Sequence, residues 1–167
     1  MSKKKEEKTN AMRILGQRKV PYTTRFYEEG DGPVGTREYG LHIAQALGQD
    51  PARVFKTLVA RGTSKAIYTF EIPVAENLDL KKAAKAVGEK SIELLPVSEI
   101  QSVTGYVRGG CTPIGMKKDF PAVFHTTVQE QETVCISGGK LGIQIELPAS
   151  ALLDVTQGTV ADLIVTR

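Results

Sequence analysis

Residues 54–73 read VFKTLVARGTSKAIYTFEIP, and this stretch decides the class of fold. Two runs rich in β-branched and aromatic residues, VFKTLVARG and KAIYTFEIP, are joined through a short polar Gly-Thr-Ser link. Such runs separated by a polar turn are typical of an antiparallel hairpin. The stretch therefore predicts two neighbouring strands near the middle of the chain.

Helical patterns lie on both sides of this hairpin. In residues 79–88, DLKKAAKAVG, the apolar residues recur at helical spacing behind Asp79, a good N-cap, and Gly88 ends the helix. A helix with Thr36 as its cap precedes the hairpin and ends at Gly48. Further short helices are predicted within 11–20, 96–105 and 148–155.

Short strand patterns complete the fold prediction. They occur at 22–29, 91–96, 122–127, 133–138 and 141–148. Because these strands fall in neighbouring pairs as well as between helices, we predict an α/β fold of the α+β type. Its sheet is mixed and mostly antiparallel, with helices packed outside.

The composition is that of one ordinary domain, with 167 residues, 41% apolar and 25% charged. We expect a charged tail at 1–10 and a single domain over 11–167. No apolar run approaches the roughly 20 residues that cross a bilayer, and no signal-peptide pattern is present, so we expect a cytoplasmic protein without a membrane partner. A net charge of +3 does not favour DNA binding. The two cysteines lack the spacing of metal ligands, so a metal site is not favoured either.

Residues 104–118, TGYVRGGCTPIGMKK, hold four glycines, a proline and a cysteine before two lysines. A turn needs one or two such residues, so this run predicts a close approach of the backbone to something else. Cys111 within it is either a nucleophile with a lowered pKa or a small side chain packed under the loop.

Few other residues suggest chemistry. His42 and His125, the two histidines, fall in a helical and a strand pattern and are read as structural or surface residues. Lys56 interrupts the apolar strand VFKTLVA, where a lysine is costly unless it meets an anion or faces outward. No nucleophile elbow or phosphate-binding loop is present.

Four segments follow in order and spacing the pattern of the YbaK/EbsC family: VFKTLVA (54–60), DLKKAAKAVG (79–88), TGYVRGGCTPIGMKK (104–118) and CISGGKLGIQIEL (135–147). From about residue 11 onward the chain resembles these bacterial deacylases and the editing domain of prolyl-tRNA synthetase. The resemblance implies an irregular barrel-like core and hydrolysis of cysteine mischarged on tRNA(Pro), with tRNA(Cys) as a further substrate. It implies no cofactor, and prolyl-tRNA synthetase as a partner in a ternary complex.

The resemblance also implies roles for individual residues. Lys56 would hold the 3′-terminal nucleotide end, and Tyr27 and Tyr39 would lie at the pocket. Successive loop amides would bind a carbonyl oxygen or developing oxyanion, since aligned N–H groups form an anion nest. The loop donors are Gly109, Gly110, Cys111 and Thr112; the further substrate contacts are Thr57, Pro113, Ser137 and Gln144; Lys117 and Lys118 would meet tRNA phosphates.

The implied mechanism is substrate-assisted, because the cysteinyl thiol attacks its own ester and the protein mainly positions groups. The chain departs from the family pattern at Thr112, usually Ser, at Cys111, commonly aliphatic, and at Gln144, often Asp. Two alternatives remain open from the residues: a pocket that binds a tRNA end or small ligand without hydrolysis, and a hydrolase that uses Cys111 as its nucleophile.

Overall fold

The computed structural model describes residues 8–28 and 37–166. Its centre is the antiparallel hairpin predicted above, formed by β2 (Phe55–Gly62) and β3 (Ile67–Pro73). The two strands pair in continuous register from Phe55 opposite Pro73 to Arg61 opposite Ile67. The β-branched and aromatic residues of both runs are thereby brought onto one twisted surface.

The hairpin belongs to a five-stranded sheet with the order β4-β2-β3-β5-β8. Its other strands are β4 (Ile92–Leu94), β5 (Ala122–His125) and β8 (Thr159–Ala161). The pairings of β3 with β5 and of β5 with β8 are parallel, and those of β2 are antiparallel.

A second, three-stranded sheet has the order β1-β7-β6 and is antiparallel throughout. It consists of β1 (Thr23–Phe26), β6 (Thr133–Ser137) and β7 (Ile143–Pro148). One isolated bridge, between Val54 and Cys135, joins the two sheets. The mixed, mostly antiparallel architecture is confirmed, and the barrel-like core is open because it consists of two sheets rather than one closed ring.

Within the described residues, five α-helices pack around these sheets. They are α1 (Asn10–Gln17), α2 (Arg37–Ala46), α3 (Leu80–Val87), α4 (Val97–Thr104) and α5 (Ala149–Thr156). As predicted, the Asp79 side chain caps α3 by accepting two backbone N–H groups, and Gly88 ends it with φ of +73°. The Thr9 side chain caps α1 by accepting from the Met12 amide.

The two faces of the five-stranded sheet bury different cores. One face packs on α3, where Phe70 and Ile72 of β3 meet Ala83 and Ala84. The other face, with Phe124 of β5, packs on the three-stranded sheet, α1 and α5. The functional candidates described below lie at the edge of this second interface.

Some local predictions differ from the structure or fall outside it. Thr36 as a helix cap and the N-terminal lysines at 3–5 lie outside the described residues. Phe26, within the strand predicted at 22–29, is 39% exposed. The longest helix in the described residues, α2, has ten residues, and none of the described helices is long and apolar enough to cross a membrane.

Candidate active site

A cleft of about 220 Å³ opens along one edge of β2. β3 covers the whole of the opposite edge, but β4 pairs only with Ala60–Gly62, so within the described residues no strand of the sheet covers Phe55–Val59 on this side. The cleft is closed by α2, by the β4–α4 segment, by the loop around Gly109 and by β6 and β7. An uncovered strand edge offers backbone donors and acceptors to a bound molecule.

The hydrogen-bond pattern of β2 shows which backbone groups point into the cleft. The Val59 carbonyl accepts from the Leu95 amide on the cleft side, whereas the Val54 carbonyl accepts from the Val74 amide on the β3 side. Because backbone groups alternate along a strand, odd-numbered residues of β2 face the cleft. The N–H and C=O of Thr57 therefore point toward a molecule in the cleft.

Lys56 is the half-buried cation of the cleft. Its Nζ lies 3.4 Å from the Val74 carbonyl oxygen. Burial, followed by the nearby Arg37 guanidinium, lowers the Lys56 pKa below its usual value, and the Glu76 and Glu38 carboxylates oppose this shift. The sequence left two alternatives for Lys56, an anion contact or an outward-facing lysine, and the structure places Lys56 among the residues that line the cleft.

The glycine-rich loop meets the cleft at Gly109, whose φ of +85° lies in the left-handed region that favours glycine. The Gly110 amide, predicted above as an oxyanion donor, instead donates to the Val107 carbonyl at 2.9 Å and closes a turn. A Cβ on Gly110 would lie 3.2 Å from the Lys140 Cα and 3.3 Å from the Leu141 amide nitrogen. Gly110 therefore allows the loop to pack against the β6–β7 turn, rather than offering its amide to a substrate.

Cys111 lines the cleft but has the wrong environment for a nucleophile. Its side chain is buried and its Sγ lies 3.5 Å from the Val107 carbonyl oxygen. Burial raises the pKa of the Cys111 thiol to about 11, and the Thr104 hydroxyl only partly offsets this. Because the thiolate is the reactive form, the structure favours the packing role over the nucleophile.

Gln144 lies on the cleft wall with its side-chain amide already paired. It accepts from the Gln49 amide at 2.6 Å and donates back to the Gln49 carbonyl oxygen at 2.9 Å. Ser137, opposite Gln144 in the β6–β7 register, accepts from the Gly139 amide at 3.1 Å. The paired side chains of Gln49 and Gln144 leave this part of the cleft wall uncharged.

The structure thus separates the predicted site residues into two groups. Those brought together around the cleft are Tyr27, Tyr39, Lys56, Thr57, Gly109, Cys111, Ser137 and Gln144. Five others do not line it: Gly110, Thr112, Pro113, Lys117 and Lys118. Thr112 is fully buried, and its hydroxyl has no hydrogen-bond partner among the described residues. The Lys117 Nζ donates to the Ser102 carbonyl at 3.0 Å, and Lys118 is exposed.

Glu71, which the sequence reading passed over, is fully buried behind the cleft wall. It lies opposite Thr57 and Phe124 in the sheet register, so its side chain points between the two sheets. Oε1 accepts from the Thr69 hydroxyl at 3.5 Å, while Oε2 and the Thr57 hydroxyl lack a hydrogen-bond partner in the described part of the chain. Glu71 could have been identified from the sequence, because it is the one charged residue in the run YTFEIP, just as Lys56 is in VFKTLVA.

Burial sets the protonation state of this carboxyl. It raises the Glu71 pKa to about 8, and the Thr69 hydroxyl, which donates to Oε1, lowers it only in part. Glu71 is therefore largely uncharged at neutral pH. Ionising this carboxyl would cost stability, because the charge would be buried away from water and Oε2 has no hydrogen-bond partner among the described residues.

Acid–base and metal chemistry find little support in the described residues. Neither histidine lines the cleft, and the buried His125 is structural because its Nδ1 accepts from the Leu163 amide at 3.1 Å. No carboxylate is among the lining residues, and the described residues contain no cluster of three or more potential metal-ligating side chains. The cleft offers the cations Lys56 and Arg108, an uncovered backbone edge and a glycine-rich loop.

Comparisons with known proteins identify the family and the fold. Residues 41–155 match the family model of the aminoacyl-tRNA editing domain. EbsC of Enterococcus faecalis, named as a Cys-tRNA(Pro)/Cys-tRNA(Cys) deacylase, is 42% identical over 164 residues, which cover 98% of each chain. A solved structure described as a trans-editing enzyme for prolyl tRNA synthetase superposes with a TM-score of 0.76 at 25% identity, covering 96% of this chain and 99% of the other. The hypothetical protein APE2540 shares the fold, with a TM-score of 0.81 at 21% identity over 93% of this chain and 99% of its own.

Proposed function

The chain belongs to the aminoacyl-tRNA editing domain family, and on that premise we propose that it is a trans-editing deacylase for mischarged Cys-tRNA(Pro). Cys-tRNA(Cys) is a second substrate, as the name of EbsC suggests. The expected editing domain of residues 11–167 acts as one unit, but the charged tail is shorter than the expected 1–10, because Thr9 caps α1 and Asn10 is its first residue.

The observation that carries this proposal is the combination of Lys56 with the uncovered edge of β2 in one small cleft. At about 220 Å³, the cleft is below the size of pockets that hold drug-like ligands, and it suits an aminoacyl group. Lys56 supplies a cation for the terminal nucleotide or the ester oxygens. The backbone groups of Thr57 can hold the polar atoms of the amino acid.

The scarcity of acid, base and nucleophile in the cleft favours a reaction in which the substrate supplies its own nucleophile. The cysteinyl sulfur attacks the ester carbonyl carbon, and the bond from that carbon to the ribose oxygen breaks. The ribose oxygen receives the thiol proton, which leaves a free tRNA 3′ end and a cyclic thioester that water then opens. The protein holds the thiol near the carbonyl and stabilises the developing negative charge.

In this scheme, Lys56 and the amides near Gly109 stabilise the oxyanion. The amides of Gly109 and Cys111 donate to no backbone carbonyl among the described residues, in contrast to that of Gly110. The Gly109 backbone, in its left-handed conformation, directs the loop along the cleft. Removing one donor from such a site typically slows the reaction by about 10²–10³.

Selectivity follows from the chemistry of the side chain. Proline and alanine carry no thiol, so they cannot cleave their own esters even when they enter the cleft. Binding alone discriminates small side chains by roughly 10- to 200-fold. A chemical requirement for sulfur therefore adds discrimination that the shape of the cleft cannot supply.

Recognition of the tRNA is proposed to involve residues outside the cleft and a partner protein. Lys117 and Lys118 are proposed to meet tRNA phosphates, and prolyl-tRNA synthetase is proposed to join the complex on the tRNA. The role of prolyl-tRNA synthetase is tested by measuring how the deacylation rate depends on tRNA concentration with and without added synthetase. A change in this dependence would support a ternary complex.

The experiment that tests the function is release of labelled amino acid from Cys-tRNA(Pro), Ala-tRNA(Pro) and Pro-tRNA(Pro). We expect fast loss of cysteine, and loss of alanine and proline close to the rates without protein. Faster loss of alanine than of cysteine would refute the thiol-assisted mechanism. Saturable tRNA binding with no loss of any amino acid would instead favour a binding module, the alternative to which the paired amides of Gln49 and Gln144 lend some support.

A further inference from the structure

A second, open groove lies next to the cleft. Three cationic side chains, Lys8, Arg13 and Lys140, line it together with Gly105 and Gly139. Ile143 lines both the groove and the cleft. The groove therefore adjoins the cleft at Ile143, on the side where α1 begins.

Hydrogen bonds hold the sides of this groove in place. The Thr9 hydroxyl donates to the Gly138 carbonyl at 2.5 Å, and the Asn10 side-chain amide donates to the Gly115 carbonyl at 2.6 Å. These two contacts tie the start of α1 to the β6–β7 turn and to the glycine-rich loop. The groove thus lies between three segments that are fixed relative to one another.

The floor of the groove is so narrow at residue 139 that only glycine fits there. The φ of Gly139 is +100°, and a Cβ there would lie 3.0 Å from the Tyr106 ring and 3.1 Å from the Thr9 Cβ. The Tyr106 hydroxyl in turn donates to the Ile114 carbonyl at 2.7 Å. The floor is consequently formed by backbone and by a fixed aromatic ring.

Among the described residues that line the groove, every charged side chain is positive. No aspartate or glutamate is among its lining residues, and the first turn of α1 has no acidic residue. Arg13 is exposed and forms no ion pair within residues 8–28 and 37–166. The adjoining cleft likewise has Lys56 and Arg108 among its lining residues.

This segregation is not a consequence of overall composition. The chain carries 22 lysines and arginines against 19 acidic residues, so an average surface would mix both signs. A path from the cleft to α1 whose charged lining residues are all positive attracts a polyanion and aligns it along the path.

We propose that this groove binds the phosphates of the nucleotides that precede the 3′-terminal nucleotide of aminoacyl-tRNA, with Lys8 and Arg13 as contacts. The proposal rests on the proposed function, because it assumes that the aminoacyl ester lies in the cleft. The ester end then enters past Lys56, and the sugar–phosphate backbone leaves through the groove. Lys8 and Arg13 act on affinity for the tRNA and not on the chemical step.

The test compares two double variants with equal loss of charge. Lys8→Gln/Arg13→Gln removes the groove cations, and Lys81→Gln/Lys85→Gln removes two exposed cations from α3, which packs on the opposite face of the five-stranded sheet. Each is assayed on Cys-tRNA(Pro) and on the phosphate-free ester 3′-O-cysteinyl-adenosine. We expect the groove variant to raise KM for the tRNA by about tenfold with unchanged kcat, and to leave the small ester unaffected.

Salt dependence gives a second readout. Loss of two contacts to single-stranded phosphates should reduce the slope of log KM against log salt concentration by about 1.4, at about 0.7 per contact. Equal KM values and slopes for the two double variants would overturn the proposal. So would an equal loss on cysteinyl-adenosine, since that ester has no phosphate to bind.

Failure of the proposed function is distinguishable from failure of this inference. If the wild-type protein cleaves neither ester, the same variants are compared by the Kd for uncharged tRNA(Pro). Weaker binding of the groove variant alone still supports the groove. Equal binding by both variants overturns it.

Discussion

Replacing Glu71 by Gln should change how the stability of the protein depends on pH. Glu71 is fully buried between the two sheets, and its pKa is raised to about 8 from 4.5. Because the folded state holds this proton more tightly than the unfolded state, Glu71 contributes stability that is complete below about pH 4.5. That stability falls as the pH rises toward 8.

The magnitude follows from the pKa difference. Each pH unit between the two pKa values changes the free energy of unfolding by about 1.4 kcal/mol. From pH 5.5 to pH 7.5 the wild-type protein should lose about 2–3 kcal/mol through this carboxyl. That is a large part of the roughly 5–15 kcal/mol that stabilises a typical domain.

The assay is urea unfolding of wild type and Glu71→Gln at pH 5.5, 6.5 and 7.5, with linear extrapolation to water. Gln keeps the shape of the neutral carboxyl and does not titrate. His125, whose pKa is lowered from 6.5 by burial, changes stability in the opposite direction, but it does so equally in both proteins. The stability of the variant relative to wild type should therefore increase by about 2–3 kcal/mol across this range. Parallel curves for the two proteins would refute the reasoning, since they would mean that Glu71 is ionised in the fold throughout.

Two further substitutions test the glycine-rich loop. Cys111→Ser should retain most of its turnover on Cys-tRNA(Pro), because a buried thiol with a pKa of about 11 supplies almost no thiolate; a dead but folded variant would restore the nucleophile hypothesis. Gly110→Ala should slow single-turnover deacylation by about tenfold or more, because its Cβ would press on the backbone of Lys140 and Leu141 and displace the loop. The control is Gly16→Ala, whose Cβ meets nothing within 4 Å in α1 and should raise stability by up to about 1 kcal/mol without affecting the rate.

The hairpin, α3 and the class of fold could be predicted because local chemistry determines them. The alternating β-branched and aromatic residues at 54–73 form a strand pair, and Asp79 and Gly88 bound α3. The division into two sheets could not be predicted, since it depends on which distant strands pair. The parallel contacts of β5 with β3 and β8 carry no local signal.

The candidate site shows the same limit. Lys56 was identifiable as a charge in an apolar strand, and the glycine-rich run as a close backbone approach. The hydrogen bond from the Gly110 amide to the Val107 carbonyl could not be predicted, because hydrogen-bond partners depend on the detailed path of the loop. The groove beside the cleft was also missed, since Lys8, Arg13 and Lys140 are far apart in sequence and ordinary in their local context.

The most direct test of the central claim is single-turnover deacylation of Cys-tRNA(Pro) by wild type and Lys56→Ala, with Lys85→Ala as the control on α3. The account predicts that Lys56→Ala loses at least about 100-fold in rate while its unfolding transition stays cooperative, and that Lys85→Ala matches wild type. A well-folded Lys56→Ala protein that deacylates at the wild-type rate would contradict the claim that this cleft is where the ester is cleaved.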